Sequence, residues 1–214
     1  MARVQDKPAQ QNQFVHKLAF FGYASTEPGE DLYQQAFEAA KYMAGLGYVI
    51  VDGGGPGVMA AATLGAEEVG GQTEVVTFYP QDAPGFEGKY MGNIADKEIV
   101  TDNYIERMYT LMAESDFYVI FNGGTGTLSE FATAWVLARL YQGHHKGFVL
   151  YGDFWQPIVQ VLTDQMLIRD QATELFEIVN SKEEIQQAIV KFEQQMSATD
   201  HSHCAFCKEK AFMT

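Results

Sequence analysis

Two glycine-rich turns contain the residues whose types and spacing could bind a phosphorylated ligand. The first reads Asp-Gly-Gly-Gly-Pro-Gly-Val-Met over residues 52–59, and the second reads Asn-Gly-Gly-Thr-Gly-Thr-Leu-Ser-Glu over residues 122–130. Glycine has no Cβ, so a ligand can approach the backbone N–H groups closely, and N–H groups at the start of a helix bind anions. The predicted substrate- and phosphate-binding residues are Gly53, Gly54, Gly55, Gly57, Met59, Gly123, Gly124, Thr125, Gly126 and Thr127. The first turn alone keeps a purely structural alternative, since a tight strand-to-helix connection also favours glycine.

Two ionisable side chains could act on such a ligand. Glu130 ends the second turn, and we expect it in the first turn of the following helix, where the helix dipole favours an ionised carboxylate. That carboxylate could stabilise a positive charge or act as a base. Arg107 lies on a predicted amphipathic helix. Each residue keeps a structural alternative: a carboxylate at a helix start without chemistry, and a surface arginine in an ion pair.

Familiar cofactor motifs do not match either turn. The dinucleotide pattern G-x-G-x-x-G fails because Val58 stands where its third glycine would fall, so we expect no nicotinamide cofactor. The P-loop pattern requires Gly-Lys-Ser/Thr, and no lysine follows either turn, which argues against triphosphate hydrolysis. A pyridoxal-dependent decarboxylase would also need a Schiff-base lysine beside its cofactor. We therefore expect no cofactor.

The elements that must position these residues alternate between short apolar runs and amphipathic segments, which predicts an α/β fold. We expect a doubly wound, mainly parallel sheet of about seven strands with helices on both faces. In such a sheet both turns lie at carboxyl ends of strands, where ligands bind. Asn103 followed by Glu106 and Ser181 followed by Glu184 predict helix starts. The strands are predicted at residues 18–21, 48–51, 74–78, 98–100, 117–121, 147–150 and 176–179.

The two turns together resemble the linked motifs of the LONELY GUY family. G-G-G-x-G-x-M over residues 53–59 and G-G-x-G-T-x-x-E over residues 123–130 stand in the family's order, and the similarity in element order runs from about residue 18 to residue 180. The resemblance implies a modified Rossmann fold. It also implies hydrolysis of the N-glycosidic bond of a nucleoside 5′-monophosphate, either AMP or an N6-modified AMP such as a cytokinin precursor, to free base and ribose 5-phosphate. Arg107 and Glu130 match its catalytic residues. Glu130 would stabilise the charge that develops on the ribose as the glycosidic bond breaks, and Arg107 would pair with the phosphate or assist the departing base. The resemblance also implies a homodimer or a higher assembly with the active site near the subunit interface.

Three positions beside these motifs depart from the family pattern. Asn122 stands where the family has proline, Met108 where lysine usually follows the arginine, and Ser129 where an acidic residue commonly precedes the last glutamate. The missing lysine would remove positive charge from the phosphate region, so these changes bear on substrate choice. A second hypothesis from another class is a non-catalytic carrier of a nucleotide or of the molybdenum cofactor, a phosphorylated pterin. Glu130 distinguishes the two hypotheses, because a carrier has no need for a carboxylate beside the anomeric carbon.

The composition is acidic, with 14 Lys and Arg against 28 Asp and Glu in 214 residues, giving a formal charge of −14. Nucleic acid polymers require a basic surface, so we expect a small nucleotide as partner instead. No apolar run reaches the roughly 18–20 residues that cross a bilayer, and we predict a cytoplasmic protein without a membrane partner. We expect a disordered tail at residues 1–13, one nucleotide-binding Rossmann-like domain at residues 14–197 and a C-terminal tail at residues 198–214, with a long surface loop at residues 80–97.

A cluster of histidines and cysteines near the end of the chain raises the question of a metal site. His201, His203, Cys204 and Cys207 supply the four nitrogen and sulfur ligands of a structural zinc ion. The cluster lacks the separated ligand pairs of ordinary zinc modules, and the adjacent His203 and Cys204 fit a tetrahedron poorly. We assign no metal on this basis, and keep zinc binding as the alternative to a tail with reactive thiols.

Overall fold

The computed structural model describes residues 14–79, 89–169 and 171–200. Seven strands form one sheet in which every neighbouring pair is parallel, in the order β4-β3-β2-β1-β5-β6-β7. The predicted α/β fold with a doubly wound parallel sheet is confirmed. The strands are β1 Lys17–Phe21, β2 Val49–Asp52, β3 Thr73–Phe78, β4 Lys97–Thr101, β5 Phe117–Ile120, β6 Gly147–Tyr151 and β7 Glu177–Val179.

Helices cover both faces of the sheet. They are α1 Asp31–Gly45, α2 Val58–Glu68, α3 Tyr104–Glu114, α4 Thr125–Leu140, α5 Trp155–Gln165 and α6 Lys182–Ser197, with a 3₁₀ turn at Ala172–Leu175. Successive side chains of a strand point to opposite faces, so β1 contributes Leu18 and Phe20 to the core under α1, α2 and α6. Its Ala19 and Phe21 contact the core under α3, α4 and α5.

Both predicted helix starts have the expected caps. The Asn103 side chain accepts a hydrogen bond from the Glu106 N–H at 2.9 Å, and the Ser181 hydroxyl accepts one from the Glu184 N–H at 3.2 Å. These bonds satisfy N–H groups that a helix cannot pair internally. The apolar residues of the last helix form a buried stripe, as the sequence predicts: Ile185, Ala188, Ile189, Phe192 and Met196.

The direction in which strands are added reverses between β1 and β5, and a crevice at such a reversal is where open α/β sheets bind ligands. The segment after β1 connects both glycine turns at this point. The Tyr23 N–H donates to the Asn122 carbonyl at 2.9 Å, and the Tyr23 carbonyl accepts from the Val58 N–H at 2.9 Å. Two turns that are about 70 residues apart in the sequence are thereby held on either side of one crevice.

Several sequence-based expectations fall on residues outside the described part of the chain. These are the tail at residues 1–13, most of the loop at residues 80–97 and the cluster of His201, His203, Cys204 and Cys207. Within the described ranges, residues 89–96 contain turns but no helix or strand, and no group of His, Cys, Asp and Glu there could hold a metal ion. None of the helices in those ranges is long and apolar enough to span a membrane. The division into one domain and two tails stays a prediction.

Candidate active site

A cavity of about 400 Å³ lies at the carboxyl ends of β1, β2 and β5, within the range of roughly 300–1,000 Å³ common for small-molecule sites. It brings together nine of the predicted site residues: Gly53, Gly55, Met59, Arg107, Gly124, Thr125, Gly126, Thr127 and Glu130. The other three predicted residues do not line the cavity and instead allow the backbone conformation and close packing of the turns: Gly54, Gly57 and Gly123. The remaining wall is formed by Phe20, Phe21, Gly22, Tyr23, Ala24, Tyr104 and Leu111.

A second cavity of about 310 Å³ lies at the opposite, amino-terminal edge of the sheet, between the starts of β5 and β6 and helix α6. Its lining includes the rings of Phe117, Phe148 and Phe192, but neither glycine turn. Because it lacks an anion-binding turn, it is not a candidate for a phosphorylated ligand.

The first turn requires glycine for conformation and for space. Gly54 has φ +69° and Gly57 has φ +67°, which is the left-handed region that side chains rarely adopt. A Cβ on Gly53 would lie 1.6 Å from Nη2 of Arg107, so only glycine lets the guanidinium reach the turn. A Cβ on Gly57 would lie 2.3 Å from the Tyr23 carbonyl oxygen. Gly54 and Gly57 thus support the site without facing the cavity.

Arg107 is buried against this turn. The residue is only 9% exposed. Its Nη2 donates a hydrogen bond to the Gly53 carbonyl at 2.8 Å, and its Nε donates one to the Val76 carbonyl at 3.1 Å. Nη2 also contacts Sδ of Met59 at 3.5 Å. The structural alternative of a surface arginine in an ion pair is therefore wrong, and no carboxylate in the described ranges pairs with it within 4.0 Å.

Glu130 lies one turn further along its helix than the sequence predicts. Helix α4 begins at Thr125 and its first internal bond runs from the Leu128 N–H to the Gly124 carbonyl at 3.0 Å. Glu130 is consequently in the second turn, where the helix dipole acts weakly. The residue is 8% exposed, and burial raises its pKa to about 8 although the Arg107 guanidinium lowers it. The raised pKa favours the protonated carboxyl over the ionised carboxylate that the sequence analysis expects.

The early start of α4 places the second turn at the helix N-terminus. The N–H groups of Thr125, Gly126 and Thr127 precede the first internal hydrogen bond, so they are available to an anion. Nothing lies within 4 Å of a Cβ position on Gly124, whereas a Cβ on Gly123 would lie 2.1 Å from Oγ1 of Thr127. Gly123 thus makes room for a buried threonine, and Gly124 leaves the approach to these N–H groups open.

Two of the departures from the family pattern contact each other. Met108 is 6% exposed and does not line the cavity, and its Sδ lies 3.6 Å from the Ser129 hydroxyl. That hydroxyl donates to the Gly126 carbonyl at 2.7 Å. The side chain at position 108 therefore points into the interface between α3 and α4. The effect of the missing lysine on the phosphate region stays a prediction. Asn122 is exposed.

A buried pair that the sequence analysis did not single out supports the first turn. Asp52 and Asn93 are fully buried. Asp52 accepts hydrogen bonds from the Gly54 N–H at 2.7 Å, the Thr63 hydroxyl at 2.6 Å and Nδ2 of Asn93 at 3.0 Å. Burial raises the pKa of Asp52 to about 6, against the effect of those bonds and of the nearby arginine. Nδ2 of Asn93 also donates to the Gly55 carbonyl at 3.0 Å.

The sequence signals that could have identified Asp52 and Asn93 differ. Asp52 directly precedes the glycines at the end of an apolar run, and a carboxylate there is well placed to accept from a turn N–H. Asn93 is 41 residues further along the chain, in a segment without period. Only the folded chain brings that segment to the turn, where the Tyr90 N–H also donates to the Gly54 carbonyl at 2.9 Å.

The parallel sheet and the cavity at its reversal define a Rossmann-like α/β protein with a ligand site between two glycine turns. A model of the SLOG cluster4 family matches residues 16–146, more than half of the chain. The chain therefore belongs to the SLOG cluster4 family, a LOG-like family, and the resemblance to LONELY GUY proteins is confirmed at that level.

Three similar proteins differ in what their names say they do. A cytokinin riboside 5′-monophosphate phosphoribohydrolase of Mycobacterium tuberculosis is 33% identical over 135 residues, 62% of this chain and 69% of that protein. The molybdenum cofactor binding protein of Rippkaea orientalis has a similar structure, with TM-score 0.62, 22% identity and coverage of 83% of this chain and 97% of that one. DNA processing protein A of Helicobacter pylori, which binds single-stranded DNA, is similar with a TM-score of 0.51 and 20% identity. That match covers 83% of this chain and 82% of the other. The last two comparisons show the fold alone.

Proposed function

We propose that this protein hydrolyses the N-glycosidic bond of a nucleoside 5′-monophosphate, AMP or an N6-modified AMP, to free base and ribose 5-phosphate. The observation that carries the proposal is the meeting of Glu130, Arg107 and the N-terminus of α4 in one cavity. The name of the M. tuberculosis relative supports the same reaction. The formal charge of −14 favours a small nucleotide over a nucleic acid polymer. We also propose a cytoplasmic location.

The phosphate binds at the first turn of α4 in this proposal. The N–H groups of Thr125, Gly126 and Thr127 donate to its oxygens, and the helix dipole favours its negative charge. The ribose then lies deeper in the cavity, one helical turn along α4 and beside Glu130. Fixing the phosphate in this way holds the anomeric carbon against the reacting carboxyl and reduces the entropic part of the barrier.

Glu130 acts first as an acid and then as a base. Its protonated carboxyl donates a proton to the departing base as the bond between C1′ and the base nitrogen breaks. The carboxylate that remains stabilises the positive charge on the ribose and accepts a proton from the water that attacks C1′. The products are the free base and ribose 5-phosphate, and Glu130 regains its proton.

Arg107 stabilises the ionised form of Glu130 during this cycle. Its guanidinium already lowers the pKa of that carboxyl, and in a buried site a positive charge nearby has a large effect on an anion. Hydrogen bonds to the carbonyls of Gly53 and Val76 fix the guanidinium, so little reorganisation is needed when the carboxylate forms.

We further propose a homodimer or a higher assembly formed through α4. This helix carries Glu130 on its buried side and three large apolar residues on its exposed side: Leu128, Val136 and Leu140, which are 48%, 52% and 68% exposed. Their spacing of four and eight residues aligns them along one stripe, and contiguous exposed apolar surface commonly marks a protein interface. An interface along α4 would lie close to the active site.

The alternative, a carrier of a nucleotide or of a phosphorylated pterin such as the molybdenum cofactor, uses the same anion site. The fold shared with a molybdenum cofactor binding protein favours this second candidate. It assigns no reaction to Glu130, whose raised pKa then only reflects burial.

The variant Glu130→Gln separates the enzyme from the carrier. Glutamine has nearly the same shape as a protonated glutamate and keeps a hydrogen-bond donor, but it cannot release a proton. We expect it to bind AMP within about threefold of the wild type by calorimetry and to lose turnover by at least a hundredfold, the lower range for a general acid or base. Binding of AMP by both proteins without turnover by either would favour the carrier.

A further inference from the structure

We propose that the hydroxyl of Tyr104 donates a hydrogen bond to the phosphomonoester of the ligand and so selects phosphorylated ligands over their unphosphorylated forms. The inference rests on the proposed function only in that the ligand carries a phosphate at the first turn of α4. It assigns a specificity-determining role to a residue that neither glycine turn contains.

Tyr104 stands on the face of α3 that forms one wall of the cavity. It is the first residue of that helix, and together with Arg107 and Leu111 it lines the cavity at positions i, i+3 and i+7. Its ring packs edge-on against Phe78, with the ring centroids 6.2 Å apart and the planes at 71°. This packing restricts the position of the ring and so places its hydroxyl oxygen at the cavity wall.

The hydroxyl reaches the first turn of α4 from the opposite side of the cavity. Its oxygen lies 3.2 Å from the position of a Cβ on Gly126, and Gly126 is the second residue of α4. No hydrogen bond of this hydroxyl is present within residues 14–79, 89–169 and 171–200. An O–H group in this position can donate to an anion that already accepts from the N–H groups of α4.

The chemistry of the site makes this donor selective for a phosphate. A phosphomonoester has three terminal oxygens. The N–H groups of one helix turn approach them from one side and do not satisfy all of them. Nε and Nη2 of the Arg107 guanidinium donate to the carbonyls of Val76 and Gly53, so these two donors are directed at the protein backbone and not at the phosphate. A hydrogen bond from a neutral donor to a charged acceptor is stronger than a neutral pair, so the hydroxyl stabilises the phosphorylated ligand far more than a nucleoside, which places no charge there.

The test compares Tyr104→Phe with Tyr109→Phe, which alters a tyrosine on the same helix that is 53% exposed and outside the cavity. Binding of ribose 5-phosphate and of ribose is measured by calorimetry on the full chain, and KM and kcat are measured with AMP. We expect Tyr104→Phe to weaken ribose 5-phosphate binding by about tenfold to a hundredfold, the range for a hydrogen bond to a charged group. Ribose binding should not change, KM for AMP should rise with kcat within about twofold, and Tyr109→Phe should match the wild type.

The outcomes separate this inference from the proposed function. If the wild type cleaves no nucleotide but binds ribose 5-phosphate in a way that depends on Tyr104, the proposed reaction fails and the inference stands. If Tyr104→Phe binds ribose 5-phosphate as tightly as the wild type, or if the wild type does not bind it at all, the inference is overturned whether or not AMP is cleaved. A loss in kcat without a change in KM would also overturn it, since it would assign the hydroxyl to the chemical step.

Discussion

Glu130 is a carboxyl whose protonation state is set by the cavity around it. Burial raises its pKa to about 8, and the Arg107 guanidinium opposes that effect without cancelling it. A carboxyl that keeps its proton at neutral pH can act as a general acid, which an exposed glutamate with its ordinary pKa cannot do efficiently. The Glu130 carboxyl is therefore the most direct link between the structure and the proposed reaction.

The first prediction concerns the dependence of the enzymatic activity on pH through Glu130. Because the protonated form of Glu130 starts the reaction, kcat/KM for AMP should be constant near pH 7 and fall tenfold per pH unit well above pH 8. Steady-state rates measured between pH 6.5 and 9.5 test this, since kcat/KM reports the pKa values of the free enzyme. An increase of kcat/KM through pH 8 would mean that the carboxylate form is active and would contradict the proposed order of proton transfers.

The second prediction concerns the stability of the folded chain. The pKa of Glu130 is raised from 4.5 to about 8, so the folded state binds more protons than the unfolded state between these values. The free energy of unfolding must then fall as pH rises through this window, by up to about 1.4 kcal/mol per pH unit. Urea unfolding at pH 6.5 and pH 8 should show the wild type losing about 1–2 kcal/mol relative to Glu130→Gln.

The pH range of that experiment isolates Glu130 from Asp52. The pKa of Asp52 is raised to about 6, so its contribution falls mainly below pH 6.5. Equal pH dependence in the wild type and in Glu130→Gln would show that the carboxyl is not buried as described.

At the scale of elements, helices α3 and α4 carry the two candidate catalytic residues and meet at Met108 and Ser129. The contact of 3.6 Å between the thioether and the hydroxyl occupies two positions where the LONELY GUY pattern usually has a lysine and commonly has an acidic residue. We infer that the two departures compensate each other, because an oppositely charged pair and an uncharged pair can both be accommodated there, whereas a single charge cannot.

A double-mutant cycle tests this compensation. Met108→Lys should destabilise the protein by about 3 kcal/mol or more, because it buries an unpaired charge. Adding Ser129→Glu should restore part of that loss, with a coupling of roughly 1–3 kcal/mol between residues in contact. Urea unfolding of the two single variants and the double variant measures the coupling. Additive effects would mean that the two positions vary independently.

The elements themselves could largely be predicted from the sequence. Five of the seven strands are short apolar runs, as buried parallel strands should be, and β4 and β7, which are not, are predicted from the sequence as well. Helices α3 and α6 have both a cap and a periodic stripe. Helix α4 is apolar on several sides and has no clear period, so its start at Thr125 was not predicted and Glu130 was assigned to the wrong turn.

The candidate site could be predicted only where its signal is local. Glycine turns after strands are visible in the sequence because the backbone itself requires glycine there. The burial of Arg107, the bond from Asn93 to the first turn and the approach of Tyr104 to Gly126 depend on which helices and loops pack together. Such contacts between distant segments determine pKa values and selectivity, and a single sequence does not encode them in a local pattern.

For the whole molecule, we expect a homodimer or a higher assembly formed through the exposed apolar stripe of α4, which is Leu128, Val136 and Leu140. Val136→Lys should weaken self-association at least tenfold, because it introduces a charge into an apolar interface. Sedimentation equilibrium over a range of concentrations measures this change. Leu64→Lys is the matched control, since Leu64 is 39% exposed on α2 at the opposite face of the sheet. A monomeric wild type, or equal effects of both variants, would contradict assembly through α4.

The central claim is that the cavity cleaves a nucleotide at its glycosidic bond. The most direct measurement incubates the purified protein with AMP and quantifies adenine and ribose 5-phosphate in the same samples, with Glu130→Gln and adenosine as controls. We expect equal molar amounts of the two products, at least a hundredfold slower release by Glu130→Gln and little release of adenine from adenosine. The absence of both products with AMP and N6-modified AMP, from a folded protein that binds AMP, would contradict the claim.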